Sequence, residues 1–182
     1  MSEAQIEKQI QALLEEMTPA EKVNMCHAVT KFTSGGVPRL GIPPLSMSDG
    51  PHGVREEIAA DSWDAVGGDQ DYATYLPTGT ALAATWNREC ARLFGEVLGA
   101  EARDRGKDVI LGPGVNMVRS PLCGRNFEYY GEDPYQAGEL AAEAIQGIQS
   151  QGTAACVKHF ALNSQELRRH EVNATCSERA LP

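Results

Sequence analysis

Asp49 in the turn Asp49-Gly50-Pro51, the arginines Arg119 and Arg125, and the pair Lys158-His159 each follow a short stretch that reads as a β-strand. A carboxylate accepts hydrogen bonds, while guanidinium and ammonium groups only donate them. Such groups at the C-terminal ends of parallel strands sit where α/β proteins bind ligands. Separate segments that place charge on one rim are a stronger signal than any one residue. Each residue also has an ordinary structural use. Asp49 could be a turn aspartate, Arg125 could pair with Glu128 or Asp133, Lys158 could snorkel to water, and His159 could be a satisfied core histidine. Glu132-Asp133-Pro134 opens a helix, where acids complement the dipole, and Tyr129 and Tyr130 read as loop packing. Other chemistries are poorly served. His27, His52, His159 and His170 show no metal-ligand spacing, so no metal or cofactor is expected. The turn L-G-P-G at 111–114 leads into a long loop rather than a helix N-terminus. With no G-x-G-x-x-G and no G-K-[ST], a nucleotide-binding sheet is a weak reading.

The elements that would position these residues alternate. Residues 3–16 carry Ile6, Ile10, Leu13 and Leu14 on one helical stripe. Thr18-Pro19-Ala20-Glu21 is a capping box that predicts a second helix to about residue 29. Residues 33–44 are an irregular Gly/Pro-rich crossing. Strands are predicted at 45–48, 78–85, 108–111 and 154–158. Helices are predicted over 88–105, with Leu93, Phe94, Val97, Leu98 and Ala102 inward, and over 134–149, with Ala137, Leu140, Ala141, Ala144, Ile145 and Ile148 inward. Residues 56–76 read as a long exposed acidic loop and 112–133 as a second long loop. This β-α alternation predicts an α/β fold with a parallel sheet and right-handed crossovers, either doubly wound or part of a (β/α)8 barrel.

Composition narrows the function further. The chain of 182 residues carries a formal net charge of −9, which argues against nucleic-acid binding. No apolar run is long enough for a membrane span. The N-terminal residues are charged throughout, so no secretory signal and a cytoplasmic location are expected. The five cysteines are widely spaced, without C-x-x-C, and read as reduced thiols acting as small apolar fillers.

Five segments in order carry a resemblance: S-D-G-P-H-G-V-R (48–55), P-T-G-T-A-L-A-A-T-W-N (77–87), L-G-P-G-V-N-M-V-R-S-P-L-C-G-R-N-F-E-Y-Y-G-E-D-P (111–134), V-K-H-F-A-L-N-S-Q-E-L-R-R (157–169) and S-E-R-A-L (177–181). Together with T-P-A-E-K-V (18–23) and G-I-P-P-L (41–45), they resemble the N-terminal catalytic barrel of glycoside hydrolase family 3, and most its β-glucosidase branch. The resemblance implies hydrolysis of terminal β-linked glucosyl residues with retention, and a β-glucoside or related oligosaccharide as the partner. It implies that Asp49 accepts from hydroxyls of the terminal sugar, that Arg55 neighbours it, that Arg125, Lys158 and His159 are further donors around the ring, and that Arg169 supports the pocket. The chemistry is consistent, because one carboxylate takes hydroxyl protons while Arg and Lys donate to hydroxyl oxygens.

Retaining hydrolysis also needs two carboxyl groups about 5–5.5 Å apart. In the family the nucleophile lies in an S-D-W motif, which this sequence lacks, and the acid/base comes from a second domain. Ser48-Asp49-Gly50 matches the substrate-binding motif instead. No catalytic residue is therefore assigned. The expectation is an N-terminal portion of the family's barrel over 1–182: a helical leader and crossing over 1–44, then an incomplete barrel of about four strands over 45–182. A complete barrel takes eight strands and about 250 residues. The alternative is a non-catalytic sugar-binding or interaction half-barrel that self-associates or needs a complementary chain through its sheet edges.

Overall fold

The structure is a computed structural model that describes residues 1–55, 62 and 72–180. Most of the loop expected over 56–76 thus lies outside the described residues. The fold is α/β, with a small parallel sheet and helices packed against it. Three strands, β1 (Met47–Ser48), β2 (Val109–Ile110) and β3 (Ala154–Ala155), lie in the order β1-β2-β3. Met47 pairs with Val109 and Ser48 with Ile110; Val109 pairs with Ala154 and Ile110 with Ala155. The central Ile110 is fully buried.

The N-terminal helices α1 (Glu3–Glu16) and α2 (Pro19–Met25) both begin with capping boxes, Ser2 with Gln5 and Thr18 with Glu21. Neither buries a residue. Helix α2 ends four residues before the expected position. Ala28 instead forms an antiparallel bridge with Ser34, and the Val29 N–H bonds the Thr33 carbonyl at 2.8 Å, so a reversed turn uses the backbone groups a longer helix would need. Arg39 reaches back to α2 and donates to both oxygens of Glu21 at 2.7 Å. That contact holds the Glu21 carboxyl down at about 2.

The segment expected as a strand over 78–85 is a helix, α3 (Gly79–Ala83). The Thr78 hydroxyl caps it by accepting from the Ala81 N–H, and the Leu82 N–H closes the first turn on the Thr78 carbonyl at 2.9 Å. Alanine and leucine favour the helix once a cap is present. No flanking strand takes up these backbone groups among the described residues.

Two long helices cover the sheet, α4 (Arg88–Asp104) and α5 (Pro134–Ser150). Their N-caps are Asn87 and Asp133, the latter in the structural role read from Glu132-Asp133-Pro134. Each helix ends before a glycine with positive φ, Gly106 (+66°) and Gly152 (+78°), which turns the chain into β2 and β3. The α4 face that packs is narrower than the apolar stripe suggested. Ala91, Phe94, Gly95, Leu98, Gly99 and Ala102 are buried, while Leu93 is exposed. A Cβ on Gly95 would lie 2.1 Å from the Ala144 carbonyl oxygen, and one on Gly147 of α5 would lie 2.2 Å from that of Arg92. The helices approach at these glycines, so leucine at position 93 falls outside the seam. Ile145 of α5 is likewise only partly buried. All five cysteines are free, but only Cys123 is buried; the other four are exposed and fill no core.

Candidate functional site

The three strands end on one rim, and their continuations build the site. After β1 the chain turns tightly: the Arg55 N–H bonds the Asp49 carbonyl at 3.1 Å. Gly50 has φ +117°, and a Cβ there would collide with the Gly53 carbonyl at 1.7 Å. After β2, Gly114 pairs in parallel with both Tyr129 and Lys158, which draws the 112–133 loop and the end of β3 together. Residues Asn126–Glu128 form a single 3-10 turn. Its carbonyls at Asn126 and Tyr129 accept from the Thr80 hydroxyl of α3 at 3.0 and 3.1 Å. The helix that replaced the expected strand thus supports the turn carrying Glu128.

Asp49, Arg55, Arg125, Phe127, Glu128 and Arg169 line one open cavity of about 430 Å³. That volume falls within the range of small-molecule sites, about 300–1,000 Å³. Lys158 joins it through its ammonium group, which donates to Asp49 Oδ1 at 2.7 Å and lies 3.4 Å from Glu128 Oε2. Arg125 Nε donates to Glu128 Oε1, so the ordinary pairing considered for Arg125 is real, with Glu128 and not Asp133. Arg125 also lies 4.0 Å from Glu166, which holds Arg169 at 3.2 Å. Six charges therefore alternate in sign from Asp49 to Arg169. Arg55 adds its guanidinium, which donates to the Ser62 carbonyl and stacks 5.3 Å over the Phe32 ring.

His159 stands beside this chain without lining the cavity. Its ring contacts the buried Tyr129 edge-on, Nδ1 is 3.0 Å from the Tyr129 hydroxyl, and Asn116 brackets its backbone. Asn163 ties the Tyr129 hydroxyl (2.9 Å) to Glu166 (2.7 Å). Both tyrosines pack as read, with Tyr129 and Tyr130 buried. The structure thus brings Asp49, Arg55, Arg125 and Lys158 to one place, with His159 adjacent. Arg119 goes elsewhere. The Val118 N–H bonds the Gly131 carbonyl at 3.0 Å, and Arg119 lines a second cavity of about 590 Å³ with Asn163, Arg169 and residues 172–176. Glu128, Asn116, Asn163 and His52 are contacts that sequence reasoning did not place in the site. Only Glu128 carried a signal, an acid three residues after Arg125.

Burial pushes the Asp49 carboxyl up, but the Lys158 hydrogen bond and charge, the Gly50 N–H and the Arg125 charge outweigh it and hold it below the usual carboxylate range. Glu166 follows the same balance: burial raises it, while Asn163, Arg125 and Arg169 bring it below its ordinary value. Burial lowers His159, helped by the Arg125 and Lys158 charges, and it lowers His52 as well. Such an arrangement can accept hydrogen bonds at an ionised aspartate and donate them from several cations. Among the described residues, no His/Cys/Asp/Glu group is arranged to hold a metal ion, and no helix is long and apolar enough to cross a membrane.

Comparison with known proteins gives a consistent picture. The family profile described as the glycosyl hydrolase family 3 N-terminal domain matches residues 44–179. Beta-glucosidase BoGH3A of Bacteroides ovatus is 55% identical over 176 residues, covering 97% of this chain and 24% of that protein. The crystal structure of a Bifidobacterium adolescentis GH3 beta-glucosidase superposes with a TM-score of 0.81 at 38% identity, over 92% of this chain and 23% of that one. Beta-glucosidase 3B from Thermotoga neapolitana, in complex with glucose, gives 0.78 at 38% identity, over 86% and 24%. The chain spans about a quarter of the length of the curated relatives it matches.

Proposed function

The chain belongs to glycosyl hydrolase family 3, and from that premise we propose that the Asp49 cavity holds the terminal sugar of a β-glucoside. Asp49 accepts from its hydroxyls, and Arg55, Arg125, Lys158 and His159 supply donors around the ring. The observation that carries this reading is the 2.7 Å Asp49–Lys158 pair in a cavity also lined by Arg55 and Arg125. A neutral sugar needs acceptor and donors side by side, and the Lys158 contact keeps Asp49 ionised while leaving hydrogen-bonding capacity on both side chains.

In this reading the fold is the first half of a (β/α)8-like barrel over 45–182, preceded by the leader and crossing of 1–44. These 182 residues bind the sugar without cleaving it. Two observations support that. A general acid for glycoside cleavage needs a raised pKa, yet Asp49 and Glu166 are both shifted downward. The sequence also contains no S-D-W. Turnover then requires later barrel strands and an acid/base residue contributed by further polypeptide. The test is calorimetric titration of the purified chain with D-glucose, with a chromogenic aryl β-glucoside assay in parallel and an Asp49→Ala variant beside both. Saturable glucose binding that Asp49→Ala abolishes, with no turnover, is expected. Absence of binding overturns the pocket assignment. Turnover lost in Asp49→Ala makes Asp49 a nucleophile and overturns its role as a binding residue alone.

A further inference from the structure

Glu128 is a carboxylate with a side chain only 3% exposed. Buried acids are rare unless paired, and a pair that deep is costly to disturb. Its two oxygens serve different cations: Oε1 accepts from Arg125 Nε, and Oε2 lies 3.4 Å from Lys158 Nζ. Those cations arrive from separate segments, the 112–133 loop and the end of β3. Each is a long side chain with considerable rotamer freedom to lose when fixed. Glu128, by contrast, sits on an immobilised backbone. Its carbonyl oxygen lies where a Cβ on Gly79 or Gly114 would come within 2.7 or 3.0 Å, and its N–H bonds the Arg125 carbonyl at 3.1 Å.

The effect on Asp49 is specific. Asp49 Oδ1 already accepts from both Lys158 (2.7 Å) and the Gly50 N–H (3.0 Å). Among the described residues no donor reaches Oδ2. Lys158 is shared between Asp49 and Glu128, with its ammonium on the Oδ1 side of Asp49.

We propose that Glu128 is a positioning residue of the sugar pocket: it orients Arg125 and Lys158 and holds Lys158 back from Asp49 Oδ2, leaving that oxygen open to a sugar hydroxyl. The role rests on the reading of the Asp49 cavity as a sugar site. Once Glu128 no longer shares Lys158, the ammonium closes onto Asp49 and competes with the hydroxyl. A lost hydrogen bond to a charged group corresponds to about tenfold or more in affinity.

The experiment uses the full chain and two variants. Glu128→Gln removes the charge; Glu128→Asp keeps it and withdraws the carboxylate by one methylene. The Asp49 carboxyl is titrated by carbon-13 NMR without sugar, and D-glucose affinity is measured by calorimetry. Both variants are expected to bind glucose about tenfold or more weakly, with the Asp49 midpoint lower than in the unmodified chain because Lys158 grips it more tightly. A variant that merely loosens the fold returns the midpoint toward the ordinary carboxylate value, which overturns the proposal. So does an unchanged midpoint with unchanged affinity. In the Lys158→Met background, Glu128→Gln should no longer lower the Asp49 midpoint through the ammonium; a shift as large as in the unmodified background refutes action through Lys158. If Glu128→Gln does not fold, Glu128→Asp carries the test. If the unmodified chain binds no glucose while the Asp49 midpoint responds as described, the sugar reading fails and with it the pocket role, while the restraint of Lys158 by Glu128 stands. If it binds glucose and both variants match it, the positioning role fails and the sugar reading stands.

Discussion

At Asp49 and His159 the same surroundings act in parallel directions. Burial and the Lys158 and Arg125 cations bring the histidine down, and the cations overcome burial to bring the aspartate down. Depressed folded values have a definite sign: the unfolded chain takes up protons first, so acidification favours unfolding. His52, lowered mainly by burial, acts the same way. The contribution of the two histidines is fully present above their unfolded value near 6.5 and is lost as pH falls through their lower folded values. Scanning calorimetry should therefore find a level Tm above about pH 7 that falls below about pH 6.5. A His159→Gln variant should show a shallower fall; a Tm that rises on acidification through this window contradicts the sign. Asp49 adds a second decline that starts only below about pH 4.

The α4–α5 pair is the best-packed part of the described structure, and its geometry rests on glycine. At Gly95 an added methyl would meet backbone at 2.1 Å, which a neighbouring side-chain rotation cannot relieve. Gly95→Ala is expected to cost about 1–3 kcal/mol or more in urea denaturation, as overpacking does. Gly138, in α5, meets nothing within 4 Å. Gly138→Ala should stabilise by about 0.5–1 kcal/mol, because helical glycine costs more backbone entropy than alanine. Equal effects at the two positions would contradict the close approach at Gly95. The ion pairs flanking the seam, such as Arg88 with Glu139 at 3.0 Å, are largely exposed and contribute little.

Over the whole molecule, the sheet has three strands among the described residues; the outer side of β1 is taken up by the 32–34 segment, with the Met47 N–H on the Phe32 carbonyl at 2.7 Å, so the unpaired edge is that of β3. Near the β3 edge lie exposed Val157 and fully exposed Phe160. Unpaired edges beside apolar surface favour pairing with another chain. Sedimentation velocity of the isolated chain should show mass that rises with protein concentration. A Phe160→Lys substitution should reduce that association, and a strictly monomeric chain at all concentrations would refute it.

Helices α1, α4 and α5 were legible along the sequence because their caps and 3.6-residue periodicity are local properties. So were three of the four strand positions, from apolar runs between glycines and prolines. The family was legible from motif order; of the residues chosen with it, Asp49, Arg55, Arg125 and Lys158 meet in space and His159 lies adjacent. What the sequence did not determine depended on contacts between distant segments. T-G-T-A-L-A-A-T suits either strand or helix, and the Thr78 cap together with the 126–129 turn decided for helix. Leu93 fits the apolar stripe of α4, but glycine-to-backbone contact with α5 turned it outward. Arg119 and Arg125 share a loop, and only the path of that loop separated their cavities. Glu128 reads as a partner for Arg125 three residues away; that it also faces Lys158, thirty positions on, follows from the pairing of Gly114 with both Tyr129 and Lys158. Local periodicity encodes elements because it acts within a few residues, whereas the division of one ammonium between two carboxylates exists only once three strand ends meet.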